Sequence, residues 1–213
     1  MKIYFVRHGE DVADKARLCQ GPNDPLTETG KKQAQSVGKR LKKIPIDRIF
    51  SSTYVRTKET AEIIAKVIGK EIEYSDLITE WKVPSELIGK SLEDESYQKI
   101  WSQVKGNLNE DWHYSDEESF SDLKSRARKA IDLFKNTKAE HLLVVTHARL
   151  LRMCVALALL DEELTLPTFS KFGAFFATKN TGITVVEYDP GKKDLKTKGW
   201  KLLVWNDHAH LDV

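Results

Sequence analysis

Histidine, arginine and glutamate side chains follow short apolar runs at several places in the sequence. Arg7 and His8 follow the first run, Arg56 the second, Glu80 the third and His147 a late one. Guanidinium groups bind phosphate oxygens in a planar fork and keep their charge, so Arg7 and Arg56 suit a phosphate clamp. A neutral imidazole can attack phosphorus, a second imidazolium can hold the oxygens where charge develops, and a carboxylic acid can protonate the departing alcohol. The set therefore predicts phosphoryl transfer, with Glu80 available as the acid.

The elements that would position these residues follow from the alternation of short apolar runs with amphipathic stretches. Such alternation is typical of parallel strands joined by helices, so the sequence predicts an α/β fold. Open α/β sheets bind ligands outside the carboxyl ends of their strands, so neighbouring strands would bring these residues into one pocket. Strands are expected at residues 3–6, 46–50 and 141–146, and at 72–74 with a continuation at Leu77 and Ile78.

Capping residues and a 3.6-residue period indicate where the helices lie. Thr27 is expected to cap a helix that Pro45 stops. Ser51 or Ser52 is expected to cap a second helix that ends at Gly69. Further helices are predicted at residues 120–134 and 149–160, and a hairpin at residues 183–188 and 200–205.

Residues 80–119 have a less regular pattern, interrupted by Pro84 and Gly89. We expect this segment to be an insertion over the sheet edge and the active site, within a single domain that spans residues 1–213. Its aromatic side chains, including Trp101 and Trp112, are expected to pack within the insertion rather than to line a substrate entrance.

The composition excludes several classes of protein. The chain has 213 residues, with 34 Lys and Arg against 32 Asp and Glu, and 40% hydrophobic residues. That is enough apolar material for the core of a globular domain and too balanced a charge for a disordered chain. A net charge of +2 argues against a nucleic-acid partner bound through a broad basic surface.

Cysteine usage and the lengths of the apolar runs bear on localisation. Cys19 and Cys154 are far apart, and we expect them to be reduced thiols. No secretory signal pattern is recognised, and the longest apolar segment, residues 153–160, is far shorter than the roughly 20 residues that span a membrane. We therefore expect a cytoplasmic protein that does not contact a membrane.

Four motifs carry a resemblance to a known family. They are Arg7-His8-Gly9-Glu10 after the first strand, DPLTETG at residues 24–30, Ser51-Ser52 with Arg56 and Thr60-Ala61, and Thr146-His147 after the late strand. In this order they resemble the motifs of the histidine phosphatase superfamily, in its phosphoglycerate-mutase-like branch. The resemblance extends from residue 3 to residue 211 and implies a three-layer α/β/α fold with a mostly parallel central sheet.

The resemblance also implies roles for individual residues. His8 would be the nucleophile that becomes phosphorylated, and Glu80 the proton donor, with Glu86 and Glu10 as alternatives for that second role. His147 and the two arginines of the clamp would hold the phosphate. Further substrate contacts are expected from Gly9, Glu10, Gln20, Gly21 and Ala148. The family implies no metal and no organic cofactor.

The chain departs from the family pattern at three places. Ala148 replaces a glycine that usually follows the second histidine. Asp11 and Asp14 lie where many members have a threonine and an asparagine phosphate ligand. Carboxylates repel a phosphate dianion, so either these two point away or the substrate is bound differently. The Phe-rich stretch at residues 165–179 also fits the family poorly and is a candidate cover for the pocket.

We therefore predict a phosphatase that hydrolyses a small phosphorylated metabolite through a phosphohistidine. A phosphoglycerate mutase is the nearest alternative, and the acidic residues Asp11 and Asp14 favour the phosphatase. A non-catalytic phosphate-ester binding protein is an alternative of another class. Arg149 and Arg152 are equally compatible with substrate contact and with helix-surface charge. Neither the substrate nor the oligomeric state is predicted.

Overall fold

The computed structural model describes residues 1–107, 109–192 and 197–211, and a six-stranded sheet lies at the centre of this part of the chain. The strands are β1 (Lys2–Arg7), β2 (Arg48–Ser51), β3 (Ile72–Tyr74), β4 (His141–Thr146), β5 (Ile183–Tyr188) and β6 (Trp200–Asp207). Their order is β3-β2-β4-β1-β5-β6. The first four strands are parallel to one another, β5 is antiparallel to β1, and β6 is antiparallel to β5. The predicted α/β fold with a mostly parallel central sheet is confirmed.

Helices cover both faces of the sheet. They are α1 (Val12–Ala16), α2 (Glu28–Leu41), α3 (Val55–Ile68), α4 (Glu95–Gly106), α5 (Phe120–Lys135), α6 (Ala148–Leu160) and α7 (Leu166–Phe175). One buried cluster joins α2 and α3 to the sheet through residues such as Leu41 and Ile64. A second cluster joins α5, α6 and α7 to the opposite face through residues such as Phe134, Met153 and Phe169. The helix–sheet–helix arrangement confirms the predicted three layers.

The central strand β4 fixes the geometry of the sheet's functional edge. Its residues Leu142, Leu143, Val144 and Val145 are completely buried because helices cover both sides of this parallel strand. Burying each such side chain contributes about 1.5–3 kcal/mol. None of the helices that the structure describes is long and apolar enough to cross a lipid bilayer.

The serine-cap prediction for α3 is wrong. The N-cap is Tyr54, and α3 begins at Val55. The Ser52 hydroxyl pairs instead with the ring of His147 at 2.9 Å and accepts the amide hydrogen of Tyr54 within a turn. The chain therefore needs this turn after β2 before the helix can start.

The predicted continuation of β3 at Leu77 and Ile78 is also wrong, because Asp76–Ile78 is a 3₁₀ turn. The Ser75 hydroxyl accepts the amide hydrogen of Leu77 and so turns the backbone away from the sheet. The turn buries Ile78 and leaves its carbonyl to accept the Thr146 hydroxyl.

The segment 80–119 contains a regular helix that sequence reasoning missed. Asp94 caps α4, which buries Tyr97, Ile100 and Trp101 on one side. These residues pack with Leu87 and with Cys19 from the loop after α1. The spacing of the three buried residues and the Asp94 cap carried this signal, but the surrounding acidic residues masked it.

Candidate active site

The carboxyl ends of three adjacent strands bring the key residues together. Arg7 at the end of β1 is paired with Thr146 at the end of β4, and Ser51 at the end of β2 is paired with Val145. The residues that follow each strand therefore leave the sheet at the same level. The rings of His8 and His147 lie there with centroids 5.3 Å apart.

His8 is held in the tautomer that a nucleophile requires. Its Nδ1 lies 2.8 Å from the carbonyl oxygen of Gly9, and because a carbonyl only accepts, Nδ1 carries the hydrogen. The lone pair is then on Nε2, which accepts from Nε of Arg56 at 3.3 Å. Burial, together with the charges of Arg56 and Arg7, keeps the pKa of His8 well below its ordinary value. The ring is therefore neutral and nucleophilic at neutral pH.

The backbone beneath His8 is fixed by two glycines. A Cβ on Gly9 would lie 2.6 Å from the carbonyl oxygen of Gly30, and a Cβ on Gly30 would lie 2.0 Å from that of Glu10. Only residues without a side chain permit this close approach of the loop to the start of α2. The Gly9 amide also donates to the hydroxyl of Thr60 on α3.

The two arginines of the predicted clamp lie close to His8. The Arg56 side chain is 1% exposed, and its Nη1 donates to the carbonyl of Gly21 at 2.6 Å. Arg7 donates through Nη1 to the Thr178 carbonyl. Its Nε is buried and has no hydrogen-bond partner among the described residues.

His147 has a buried ring nitrogen without a hydrogen-bond partner among the described residues. Its Nε2 pairs with the Ser52 hydroxyl, whereas its Nδ1 is buried and, within the described part of the chain, has no hydrogen-bond partner. Burial and the charge of Arg56 hold its pKa well below the ordinary value. The expected imidazolium is therefore a neutral imidazole here, able to donate through one ring N–H.

Among the three glutamates considered as proton donor, Glu80 is the one that lines the cleft. Its carboxylate accepts the backbone N–H groups of Arg149 and Leu150 at the N-terminus of α6. Glu86 is exposed. The Glu10 carboxylate accepts from the Thr27 hydroxyl at the start of α2.

Asp11 and Asp14 do not point away from the site. Asp11 caps α1 and is fully buried, with Oδ2 3.6 Å from Nε of Arg56 and bonded to the Gln20 amide. Burial raises the pKa of Asp11 to about 6. Asp14 Oδ2 accepts from Nη2 of Arg7 at 2.9 Å and from Asn180 at 3.1 Å. Each clamp arginine therefore has a carboxylate neighbour.

His8, Asp11 and Asp14 also offer possible metal ligands, whose atoms lie within 4.8 Å of one another. The hydrogen bonds of these three groups already engage them with protein donors. Arg7 and Arg56 also contact the two carboxylates, and their positive charges oppose a bound cation. With both arginines present, the site suits an anion better than a metal ion.

A cleft of about 300 Å³ opens onto this cluster. Gln20, Gly21 and Ala148 line it, as do the side chains of Arg149 and Arg152 on α6. The segment 80–119 supplies another wall, formed by Trp81, Lys82, Val83, Ile88, Leu92 and Tyr97. The position of Arg152, four residues after Ala148 on the same helix, could have predicted that it lies on the same face.

Comparison with protein families gives a match over nearly the whole chain. Residues 3–201 match the model of the histidine phosphatase superfamily (branch 1). The chain is 30% identical to the probable phosphoglycerate mutase GpmB of Salmonella arizonae, over 100% of this chain and 96% of that protein. The corresponding protein of an Enterobacter species is also 30% identical, with the same coverage.

Solved structures with the same fold include three described as phosphatases. A putative alpha-ribazole-5'-P phosphatase from Escherichia coli has a TM-score of 0.80 at 19% identity, covering 98% of each chain. A phosphoserine phosphatase from Entamoeba histolytica has a TM-score of 0.78 at 23% identity, covering 99% of this chain and 98% of that one. A mycobacterial glucosyl-3-phosphoglycerate phosphatase has a TM-score of 0.78 at 19% identity, covering 97% and 99%.

Proposed function

The chain belongs to the histidine phosphatase superfamily, branch 1, and from that premise we propose that it is a phosphatase acting on a small phosphorylated metabolite through a phosphohistidine. The observation that carries the proposal is the state of His8. Its Nδ1–H is held by the Gly9 carbonyl, so its Nε2 lone pair faces the cluster of Arg56 and His147. A buried, neutral and oriented imidazole of this kind is suited to attack phosphorus.

The donors around His8 support a bound phosphoryl group. If the Ser52 hydroxyl donates to Nε2 of His147, the Nδ1 atom of that ring carries the hydrogen. This Nδ1 and Arg7 Nε are both buried without partners among the described residues, and unsatisfied buried donors are costly. Phosphate oxygens would satisfy both and would also pair with Arg56. These groups would then stabilise the charge that develops on the oxygens in the transition state.

The reaction proceeds in two steps. Nε2 of His8 bonds to phosphorus while the bond to the ester oxygen breaks, and Glu80 gives its proton to the departing oxygen. Water then attacks the phosphohistidine, Glu80 takes a proton from that water, and inorganic phosphate and free His8 are released. The location of Glu80 in the cleft, with its carboxylate at the N-terminus of the helix that follows His147, supports this dual role.

Replacement of His8 tests the proposal. We expect His8→Ala to abolish turnover of p-nitrophenyl phosphate and to prevent trapping of an acid-labile phosphoenzyme. His113→Ala is a matched control because His113 is a half-exposed histidine in the segment 80–119. Unchanged turnover in His8→Ala would contradict the proposal, and tight ester binding without turnover in the wild type would favour the non-catalytic alternative.

A phosphoglycerate mutase is the second candidate, favoured by the names of the two relatives above. A mutase must hold a second anionic group and keep its phosphohistidine from water. Arg149, Arg152 and Lys82 supply cations for such a group. Measuring phosphate release against isomerisation of a phosphoglycerate separates the two, and we expect release to dominate.

A further inference from the structure

A second cavity of about 480 Å³ lies beside the cleft and shares three wall residues with it, Trp81, Arg149 and Arg152. We call it the distal cavity. Helices α4 and α7 supply most of its remaining walls, including Trp101, Val104, Lys105, Phe169, Gly173 and Ala174. Its volume is within the range of pockets that enclose small organic molecules.

The charges around the distal cavity have one sign. Its charged wall residues are Lys105, Arg149 and Arg152, and no Asp or Glu among the described residues lines it. Arg152 donates to the carbonyl of Phe176 and to the hydroxyl of Thr178, both of them neutral partners. The cavity therefore favours a ligand that carries negative charge.

Arg149 stacks on two aromatic residues of the distal cavity's wall. Its guanidinium lies over the rings of Trp81 and Trp101, at 5.4 and 4.8 Å from their centroids. Stacking engages the face of the guanidinium and leaves the N–H groups on its edge to donate. In the described part of the chain, no carboxylate forms an ion pair with this side chain, so its edge donors are available to a ligand.

We propose that the distal cavity receives the alcohol part of the substrate, which is a phosphate monoester whose alcohol carries a planar apolar ring and a second anionic group. The ring would pack on Phe169 and against the wall that α7 forms at Gly173 and Ala174, and the anionic group would pair with Arg149. This assignment rests on the proposed phosphatase function, since it places the ester bond at His8. It also gives the segment 80–119 and α7 the role of selecting the alcohol.

Gly173 provides a way to fill the distal cavity without disturbing the cleft. A Cβ on Gly173 would meet no atom within 4 Å, and Gly173 lines the distal cavity but not the cleft. Gly173→Phe therefore occupies the cavity, and Gly173→Ala is the matched control at the same helical position. Arg149→Gln removes the charge and keeps a planar hydrogen-bonding group.

The probes are glycerol 3-phosphate, 2-naphthyl phosphate and 6-carboxy-2-naphthyl phosphate. Each ester is compared with itself across the variants, so differences in intrinsic reactivity cancel. We expect Gly173→Phe to lower kcat/KM for the two naphthyl esters by about tenfold or more and to leave glycerol 3-phosphate nearly unchanged. We expect Arg149→Gln to lower the preference for the carboxylated over the plain naphthyl ester by about tenfold.

Three outcomes bear on the assignment. If Gly173→Phe and Gly173→Ala treat all three esters as the wild type does, the distal cavity does not receive the alcohol. An equal loss on glycerol 3-phosphate and the naphthyl esters would overturn it as well. If the wild type hydrolyses none of the esters, the proposed function fails, and this result is distinct from turnover without discrimination.

Discussion

Replacing Asp14 by asparagine should strengthen phosphate binding. The Asp14 carboxylate lies 2.9 Å from Nη2 of Arg7, a member of the proposed phosphate clamp, and lines the cleft. Its negative charge partly neutralises Arg7 and repels an incoming dianion. Asparagine keeps the shape and one acceptor oxygen but removes the charge, so Arg7 stays in place.

The size of the effect follows from the distances. An oxyanion bound at Nε of Arg7 would lie about 6 Å from the Asp14 carboxylate, where two unit charges repel by about 3 kcal/mol at an effective dielectric of about 20. The side chains of Arg7 and Asp14 are 17% and 26% exposed, so solvent and salt screen part of this repulsion. We expect a gain of about 1.5 kcal/mol, which is roughly a tenfold lower KM.

The assay is the KM for p-nitrophenyl phosphate and the inhibition constant of inorganic phosphate for wild type, Asp14→Asn and Asp14→Ala. Both constants should fall in Asp14→Asn. Asp14→Ala is the informative companion, because it removes the charge together with the bond that positions Arg7, and it should gain less. A higher KM in Asp14→Asn, or an unchanged phosphate inhibition constant, would refute the electrostatic reasoning.

Three further predictions concern pH, the second histidine and the glycine contact. As pH falls through about 6, Asp11 becomes protonated and ceases to neutralise Arg56, so KM should fall, and Asp11→Asn should flatten this dependence in a pH series of steady-state rates. His147→Gln should slow phosphoenzyme formation by about 10²–10³-fold in a single-turnover experiment, because it removes a group that stabilises the transition state. Gly30→Ala should lower the free energy of unfolding by about 1–3 kcal/mol or more in a denaturant titration, because its Cβ meets the Glu10 carbonyl at 2.0 Å.

The pH and glycine predictions each have a control. The substrate phosphate also titrates near pH 6. The effect of Asp11 is therefore the difference between the KM-against-pH profiles of wild type and Asp11→Asn on the same ester. Parallel profiles would contradict the prediction. The sign for stability follows from the raised pKa of Asp11: its protonated form stabilises the fold below about pH 4, and that contribution is lost as pH rises through about 6. Gly106→Ala should not destabilise, because its Cβ has open space. Equal stability of Gly30→Ala and wild type would refute the contact argument.

The sheet and its functional edge were predictable because periodicity reports burial. Strand β4 is apolar on both faces, and the Thr27 cap of α2 follows from its hydroxyl and the helical stripe behind it. Once the strands are known to be parallel, their carboxyl ends must bring His8, Arg56 and His147 together. That part of the candidate site needs no detail beyond strand order.

Side-chain direction was not predictable from the same patterns. Asp14 was expected either to turn away or to signal a different mode of binding, and its actual partners, Arg7 and Asn180, are 7 and 166 residues away in sequence. The role of Ser52 was misassigned because a serine before a helix usually caps it, whereas here its hydroxyl meets a ring 95 residues further on. Arg149 was ambiguous for the same reason, since its ring partners lie in a segment without a clear period.

The loop that carries His8 and Gly9 should stay folded longer than the segment 80–119 under denaturing conditions. The amide of His8 is bonded to Thr146 in the central sheet and that of Gly9 to Thr60, so both should exchange their hydrogens only on global unfolding. The segment 80–119 packs through the small cluster around Trp101 and should open separately at lower cost. At intermediate denaturant, the cleft wall and Glu80, which begins this segment, would therefore be lost before the fold around His8.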